Sequence, residues 1–299
     1  MLIPPYLKAG DTIALAAPAR FVTPDKIAPT VQLFKNEGFN LIYTPELFTR
    51  ERQFAGSDAL RAADFQAHLN DPDVNAILCV RGGYGTIRLL DSLDFTLLQQ
   101  FPKWICGYSD ITVLHAHIHT QYHMATLHCT MPLNITASKF QSEALRTLLR
   151  ALRGEKLEYV IENHKLNRKG EAEGLLVGGN LSILYSLLES SASLDTVNKI
   201  LLIEDVGEYL YHIDRMLISL KRAGKLQNIK GLIVGGFSDM NDNAVPYGQT
   251  AEEIIAEQCA DYDFPMVFGA PVGHIDDNRA FRLGTVYKVR VSDNQVIIT

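Results

Sequence analysis

The amino-acid sequence predicts an α/β protein of two domains, the first with a doubly wound, mostly parallel sheet and the second a smaller α/β unit. The chain has 299 residues, whereas single domains commonly have about 100 to 200. Short apolar runs alternate with helix-like stretches in the first half, and parallel strands need such crossover connections. A polar, charged stretch then separates this half from the remainder.

Five short apolar runs in the first half are predicted to be buried strands, at 12–18, 39–43, 74–80, 104–107 and 125–129. Between them, helices are predicted at 24–37, 58–69 and 110–120, because each follows a residue that can cap a helix: Thr23, Ser57 and Ser109. A further helix-like stretch covers 141–153. This order of elements predicts a flavodoxin-like N-terminal domain at 1–153.

Residues 154–174 are predicted to be a linker, because 163–174 is rich in polar and charged residues. The C-terminal domain is placed at 175–299, with strands at 199–204, 231–237 and 265–269. Its predicted helix has an apolar face made by Leu210, Ile213, Leu217 and Leu220. The tail predicts a hairpin of strands 285–291 and 295–298.

The composition excludes several classes of protein. Apolar residues make up 47% of the chain and charged residues 21%, which is typical of a folded globular protein. The formal net charge is −6, so nucleic acid is not an expected partner. No apolar run approaches the roughly 20 residues of a membrane span, and the N-terminus lacks a signal-peptide pattern. We therefore expect a cytoplasmic protein without membrane association.

The cysteines and histidines do not indicate a cofactor. Cysteines stand at 79, 106, 129 and 259 without a CxxC pair, which predicts neither a disulfide framework nor a zinc site. His115 and His119 have the spacing of one helical face, but no third ligand has matching spacing. A packed or solvated histidine face is the favoured interpretation, and no metal or other cofactor is expected.

The segment KWICGYSD at 103–110 carries the clearest chemical signal. An apolar strand ends at Gly107 and a helix begins near Asp110, so Ser109 lies on the sharp turn between them. Such a turn exposes the hydroxyl beside the unpaired N–H groups of a helix N-terminus, and it resembles a nucleophile elbow. Ile111 replaces the last glycine of the GxSxG pattern. Taken alone, Ser109 is more commonly a helix cap than a nucleophile.

Three other segments follow predicted strands. RGGYG at 81–85 offers backbone N–H groups for a phosphate or an oxyanion, or it forms an ordinary tight turn. Glu204 and Asp205 lie at the end of a predicted strand, and ligands of open α/β sheets bind at the carboxyl ends of strands. Glu204 could orient a histidine, or either carboxylate could cap the turn that follows. His274 lies in a glycine-flanked loop after the strand at 265–269.

The order Ser109, Glu204, His274 is one known order of a catalytic triad. The sequences around these residues resemble the LD-carboxypeptidase family of serine peptidases, also called muramoyltetrapeptide carboxypeptidases. The resemblance spans nearly the whole chain, through RGGYG at 81–85, GYSD at 107–110, GGNL at 178–181, EDVGE at 204–208, IDRM at 213–216 and PVGH at 271–274.

The resemblance implies a cytoplasmic enzyme of cell-wall recycling that removes the terminal D-alanine of murein tetrapeptides by cutting an L,D peptide bond. It implies Ser109 as nucleophile, Glu204 as acid and His274 as base, in a site between two domains. It also implies a homodimer that needs no metal.

Four further residues are expected at this site. The backbone N–H groups of Gly83 and Asp110 are expected to form the oxyanion hole. Arg81 is expected either to bind the substrate carboxylate or to form a structural salt bridge. Asn180 is expected either to contact the substrate or to cap the helix-like stretch 181–189.

The chain departs from the family pattern at two places. HCTM at 128–131 replaces the family's His-Gly-Pro-Met, and Arg279 begins a segment that is apolar and proline-containing in the family. Both changes concern substrate fit rather than the triad.

Three alternatives stay open. A microcin-type peptidyl-nucleotide hydrolase shares the fold but tends to carry extra aromatic loop residues for base stacking, whereas the one tryptophan here, Trp104, lies in a predicted strand. A non-catalytic peptide-binding relative would have a decayed triad. A nucleotide-binding Rossmann protein would have fingerprint glycines after its first strand, and 14–20 lacks them.

Overall fold

The computed structural model describes residues 1–299 and contains thirteen strands and seven α-helices. The strands are β1 Thr12–Ala16, β2 Asn40–Ile42, β3 Val74–Cys79, β4 Trp104–Gly107, β5 Thr126–His128, β6 Tyr159–Ile161, β7 Gly170–Asn180, β8 Ile200–Val206, β9 Gly231–Ser238, β10 Met266–Val267, β11 Phe281–Leu283, β12 Val286–Val291 and β13 Val296–Ile298. The helices are α1 Pro24–Asn36, α2 Asp58–Asn70, α3 Thr112–His117, α4 Glu143–Leu152, α5 Leu181–Ser186, α6 Leu210–Arg222 and α7 Ala251–Gln258. None of these helices combines the length and apolar character needed to span a membrane.

The first sheet has six strands in the order β11-β5-β4-β3-β1-β2. Strands β1 to β5 pair in parallel, in the order that defines the flavodoxin-like class. The five predicted strands are confirmed with ends that shift by one or two residues. Strand β2 differs from the prediction of a buried strand, because it lies at the edge of the sheet and is largely exposed. The apolar character of the other four reflects burial on both faces, which helices cover in parallel sheets.

The second sheet has seven strands in the order β10-β9-β8-β7-β12-β13-β6. Strands β7 to β10 are parallel, whereas β12, β13 and β6 are antiparallel. The predicted hairpin at the tail is confirmed as β12 and β13. The two sheets confirm the predicted α/β class.

Part of the predicted linker at 154–174 is strand in the structure. It contains β6 and the first residues of β7, which pair with β13 and β12. Two of the charges that suggested a linker form cross-strand ion pairs instead: Glu171 contacts Arg290 and Glu173 contacts Lys288. Antiparallel strands with one solvated face carry such pairs without losing their backbone hydrogen bonds.

Strand β11 also differs from the predicted division of the chain. It follows the loop that carries His274, yet it pairs antiparallel with β5 at the edge of the first sheet. Phe281 of β11 stacks on the buried Tyr159 with ring centroids 4.5 Å apart. The chain therefore crosses between the two sheets more than once.

Two glycines of β7 allow close contacts beside the Ser109 turn, one with the neighbouring strand β8 and the other with α3. A Cβ atom on Gly178 would lie 2.0 Å from the carbonyl oxygen of Leu202 in β8, and one on Gly179 would lie 2.6 Å from Thr112 Oγ1. The Thr112 hydroxyl accepts the N–H of Asn180 at 3.0 Å. The close pairing of β7 with β8 thus depends on the absence of a side chain at Gly178, and the contact of β7 with α3 depends on its absence at Gly179.

We predict that Gly178→Ala destabilises the protein by at least about 3 kcal/mol, because it combines a backbone clash with a φ of +129° that L-residues avoid. Gly224→Ala is the matched control, since its φ is +72° but nothing lies within 4 Å of the new methyl group; it should cost about 1 to 2 kcal/mol. Urea unfolding measures both. Equal losses would contradict the role assigned to close strand approach.

Candidate active site

Ser109 lies on a strained turn at the carboxyl end of β4. Its φ is +65°, a region that non-glycine residues seldom adopt and that nucleophile elbows use. A Cβ atom on Gly82 would lie 3.1 Å from Ser109 Oγ, so glycine at that position leaves room for the hydroxyl. Ser109 begins the short 3-10 turn Ser109–Ile111, whose N-cap is Tyr108. Its hydroxyl is hydrogen-bonded to His274 rather than to a backbone N–H of the helix.

The structure brings Ser109, Glu204 and His274 together. The Nε2 atom of His274 lies 3.0 Å from Ser109 Oγ, and its Nδ1 lies 2.6 Å from Glu204 Oε2. The three residues come from β4, β8 and the loop after β10, so both sheets contribute. An imidazole between a hydroxyl and a carboxylate can take the hydroxyl proton while the carboxylate fixes its tautomer.

Burial and hydrogen bonding set the charges of this group. Burial opposes ionisation of the inaccessible Glu204 carboxyl, but the imidazoles of His128 and His274 favour it, and together they lower its pKa to about 2. Burial opposes the charged form of His274 as well. The hydrogen bond and negative charge of Glu204 outweigh that effect and raise the pKa of His274 above its ordinary value.

Glycines and backbone contacts enclose the Glu204 carboxylate. A Cβ atom on Gly273 would lie 2.6 Å from Glu204 Oε2, and one on Gly235 would lie 3.2 Å from Glu204 Cβ. The Ser238 hydroxyl donates to the carbonyl of His274 at 2.7 Å, and the Gly273 N–H donates to Asn278 at 2.9 Å. These contacts hold the His274 loop over the end of β8.

The two N–H groups expected in the oxyanion hole have no partner within the chain. Neither Gly83 nor Asp110 donates a backbone hydrogen bond to another residue. The Asp110 carboxylate accepts the Thr86 N–H at 2.8 Å, which ties the 81–85 turn to the Ser109 turn. Two unpaired donors beside a hydroxyl are suited to binding a developing oxyanion.

Arg81 faces a cavity of about 340 Å³ that Ser109 and His274 also line. Its guanidinium donates to the Phe21 carbonyl at 3.0 Å, so no salt bridge of the expected structural kind is formed. Arg20 lines the same cavity, and its Nε has no hydrogen-bond partner. Burial and the nearby Arg20 charge lower the pKa of Arg81. Two close guanidinium groups without a carboxylate favour an anionic ligand.

Sequence reasoning did not find Arg20. The available signal was its position shortly after β1, because β1 and β3 are the strands between which the order of a flavodoxin-like sheet reverses and ligands bind. A Cβ atom on Gly83 would lie 2.7 Å from Arg20 Cδ, so the RGGYG turn makes room for this side chain.

Asn180 is a helix cap in the structure. Its side-chain oxygen accepts the Ile183 N–H at 3.2 Å, and its amide donates to Asp205 at 2.9 Å. Asp205 also accepts the backbone N–H groups of Ser182 and Val206. Burial, with the Glu204 charge adding to it, raises the pKa of Asp205 to about 7. These side chains order the start of α5 and do not line the cavity at Ser109.

The histidines at 115 and 119 are packed inside the protein. His115 donates Nε2–H to the Gly107 carbonyl at 2.9 Å, and His119 lies 3.0 Å from Thr126 Oγ1. Burial lowers the pKa of each to about 3, so both are neutral. No three groups of the metal-binding types converge anywhere in the chain.

Comparison with known proteins identifies relatives of this chain. The profile of the LD-carboxypeptidase N-terminal domain matches residues 13–129, and that of the LD-carboxypeptidase C-terminal domain matches 173–289. A probable murein peptide carboxypeptidase of Bacillus subtilis is 32% identical over 99% of this chain and 93% of its own length. The murein tetrapeptide carboxypeptidase of Pseudomonas aeruginosa is 30% identical over 91% of each chain.

Two solved structures are also similar. The muramoyltetrapeptide carboxypeptidase of Oxalobacter formigenes superposes with a TM-score of 0.88 at 25% identity, over 96% of this chain and 97% of that one. The microcin C7 self immunity protein, solved in complex with aspartyl sulfamoyl adenosine, has a TM-score of 0.88 at 20% identity, over 100% of this chain and 98% of that one. The second likeness shows a shared fold.

We predict that Glu204→Gln lowers the pKa of His274 below its wild-type value. The carboxylate stabilises the charged imidazole, and without it burial dominates and favours the neutral form. An NMR titration of the histidine ring resonances measures the change. Glu208→Gln is the matched control, since Glu208 pairs with His212 instead. A His274 titration that is the same in both variants would contradict the assigned cause.

Proposed function

The chain belongs to the LD-carboxypeptidase family, and we propose that it is the serine peptidase that releases the terminal D-alanine of murein tetrapeptides by hydrolysing an L,D peptide bond. One observation carries the proposal: a hydroxyl on a strained turn is hydrogen-bonded to an imidazole, which is hydrogen-bonded to a buried carboxylate. The similarity to named murein peptide carboxypeptidases supplies the substrate class.

We assign Ser109 as nucleophile, His274 as general base and acid, and Glu204 as the group that orients His274. The Ser109 oxygen attacks the scissile carbonyl while its proton moves to His274 Nε2. The C–N bond then breaks, D-alanine leaves with the proton from His274, and the tripeptide remains as an ester on Ser109. Water, deprotonated by His274, hydrolyses this ester. Only neutral His274 accepts a proton, so activity falls as the pH drops through its raised pKa.

The N–H groups of Gly83 and Asp110 are proposed to bind the oxyanion of each tetrahedral intermediate. Both are free to donate, and the contact between Gly82 and the Ser109–Asp110 peptide keeps the two turns together. One such donor typically contributes roughly 3 to 4 kcal/mol to transition-state stabilisation.

Arg81 and Arg20 are proposed to bind the carboxylate of the terminal D-alanine. A carboxypeptidase must recognise a free chain end within a residue's length of the scissile bond, and both guanidinium groups line the cavity that contains Ser109. Arginine forms paired hydrogen bonds to carboxylates, which fix orientation as well as charge. Asn180 is better supported as a helix cap than as a substrate contact.

The alternative of a peptidyl-nucleotide substrate has no supporting contact in this cavity. Trp104 is buried in β4, stacks on Tyr6 with centroids 5.8 Å apart and donates its indole N–H to the Pro5 carbonyl. It is therefore not available to stack on a base. We also propose a cytoplasmic homodimer on the family resemblance, which cell fractionation and light scattering after gel filtration would examine.

We predict that the purified protein releases alanine from a murein tetrapeptide ending in D-alanine and not from the same peptide ending in L-alanine. Inverting the terminal Cα moves the carboxylate away from its fixed cationic contacts. Ser109→Ala should lose nearly all turnover without a change in the circular dichroism spectrum, because it removes only a hydroxyl. Mass spectrometry detects the released alanine. Equal rates for both peptides would remove the assignment to L,D peptide bonds.

We further predict that amidation of the terminal carboxylate lowers kcat/KM by about 100-fold, since it removes the charge that two arginines bind. In the variant R20Q/R81Q, the kcat/KM values for the peptide with a free terminal carboxylate and for the amidated peptide should differ by less than about 10-fold. Arg146→Gln removes one exposed positive charge that does not line the cavity, and this variant should keep the wild-type ratio of the two kcat/KM values. A wild-type ratio in R20Q/R81Q would exclude these arginines as the carboxylate site.

A further inference from the structure

His128 occupies an unusual position behind the proposed triad. It is the last residue of β5, inaccessible to solvent, with β4 on one side and β11 on the other. Its Nε2 lies 4.0 Å from Glu204 Oε1, the carboxylate oxygen that does not contact His274. The Glu204 carboxylate therefore lies between two imidazoles.

The groups on this second side of Glu204 are unpaired. Neither ring nitrogen of His128 has a hydrogen-bond partner, and neither does Glu204 Oε1. An unpaired polar atom in a protein interior is costly, and a buried carboxylate oxygen is especially so. A donor and an acceptor 4.0 Å apart need to approach by only about 1 Å to reach hydrogen-bond distance.

The remaining ionisable groups around His128 offer Glu204 Oε1 no other donor. The ring centroid of Tyr108 lies 5.8 Å from that of His128, and the ring centroid of His115 lies 6.4 Å from it. The other ionisable groups are the buried thiols Cys106 and Cys129 and, beyond Glu204, the side chains of Asp205 and His274. His115 is neutral and already donates to Gly107. The Tyr108 hydroxyl donates to Asn134 instead, and Glu204 Oε1 accepts no hydrogen bond from Cys106 or Cys129.

We propose that His128 is a positioning residue that donates its Nε2–H to Glu204 Oε1 and so keeps the carboxylate ionised and turned towards His274. This role rests on the proposed serine-peptidase function. A carboxylate that accepts a second hydrogen bond is less basic. The proton in the bond between Glu204 and His274 therefore stays on the imidazole, as the triad mechanism requires. His128 touches neither the nucleophile nor the cavity.

Two variants of similar shape separate this role from simple space filling. His128→Gln keeps an N–H donor close to the position of Nε2, whereas His128→Met has none. We expect His128→Met to lose at least about 10-fold in kcat/KM. We also expect the acid limb of its pH profile to move to higher pH, because Glu204 becomes more basic and stabilises the protonated His274 more strongly. His128→Gln should keep the wild-type acid limb and most of the activity.

His119→Met is the control for loss of a buried imidazole, since His119 contacts Thr126 in the same strand and does not face Glu204. It should leave the acid limb unchanged. If His128→Met and His128→Gln behave alike, or if neither moves the acid limb, the residue only fills space and the proposal is overturned.

A measurement on the wild-type protein avoids dependence on activity and on the folding of core variants. In protein labelled with ¹⁵N-histidine, His128 should carry its proton on Nε2, and this resonance should shift in Glu204→Gln but not in Glu208→Gln. A proton on Nδ1 alone, or no response to Glu204→Gln, would overturn the proposal. Failure to release D-alanine would instead count against the proposed function and leave the NMR result interpretable.

Discussion

The ionised carboxylate of Glu204 in the protein interior is the constraint on which the site depends. A buried charge of this kind is stable only when its surroundings compensate for lost hydration. His274 provides a hydrogen bond of 2.6 Å on one side, and His128 approaches the other oxygen. Gly235 and Gly273 leave no space between the carboxylate and the neighbouring backbone. The raised pKa of His274 is a direct consequence of this arrangement.

The same constraint links the two sheets. Ser109 belongs to the first sheet and Glu204 to the second, so the hydrogen bonds through His274 exist only when both are folded and docked. Gly179 allows β7 to approach α3 closely, and the Thr112 hydroxyl ties α3 to the end of β7. Strand β11 returns to the first sheet directly after the His274 loop, which anchors the loop at its far end.

Much of the fold could be predicted from the sequence because parallel strands are buried on both faces and read as continuous apolar runs. Ser109, Glu204 and His274 were singled out because each lies at or after the end of such a run, and because their order and the surrounding sequences resemble the LD-carboxypeptidase family. Strand β7 was not predicted, since its first half carries charges that form cross-strand pairs. The partner of β11 could not be predicted either, because an edge strand of three residues does not encode which sheet it joins. The contacts of Arg20 and His128 could not be predicted, because their partners are distant in sequence. The position of Arg20 after β1 and the family motif at His128 do not identify those partners.

The base and the carboxylate that orients it come from a different part of the fold than most of the cavity wall, whereas Ser109 belongs to the same part as that wall. Glu204 and His274 come from the second half of the chain, whereas most of the cavity wall comes from loops of the first sheet. Its 131–134 segment lies just beyond the departure from the family's His-Gly-Pro-Met pattern. The structure keeps this segment in place without that Gly-Pro pair, since the Leu133 N–H bonds to the Val80 carbonyl and Asn134 contacts the Tyr108 hydroxyl. The cavity is lined by Met131, Leu133 and Asn134 and not by residues 129–130, so the departure from the family pattern leaves both the wall segment and the Ser109–His274–Glu204 hydrogen bonds in place.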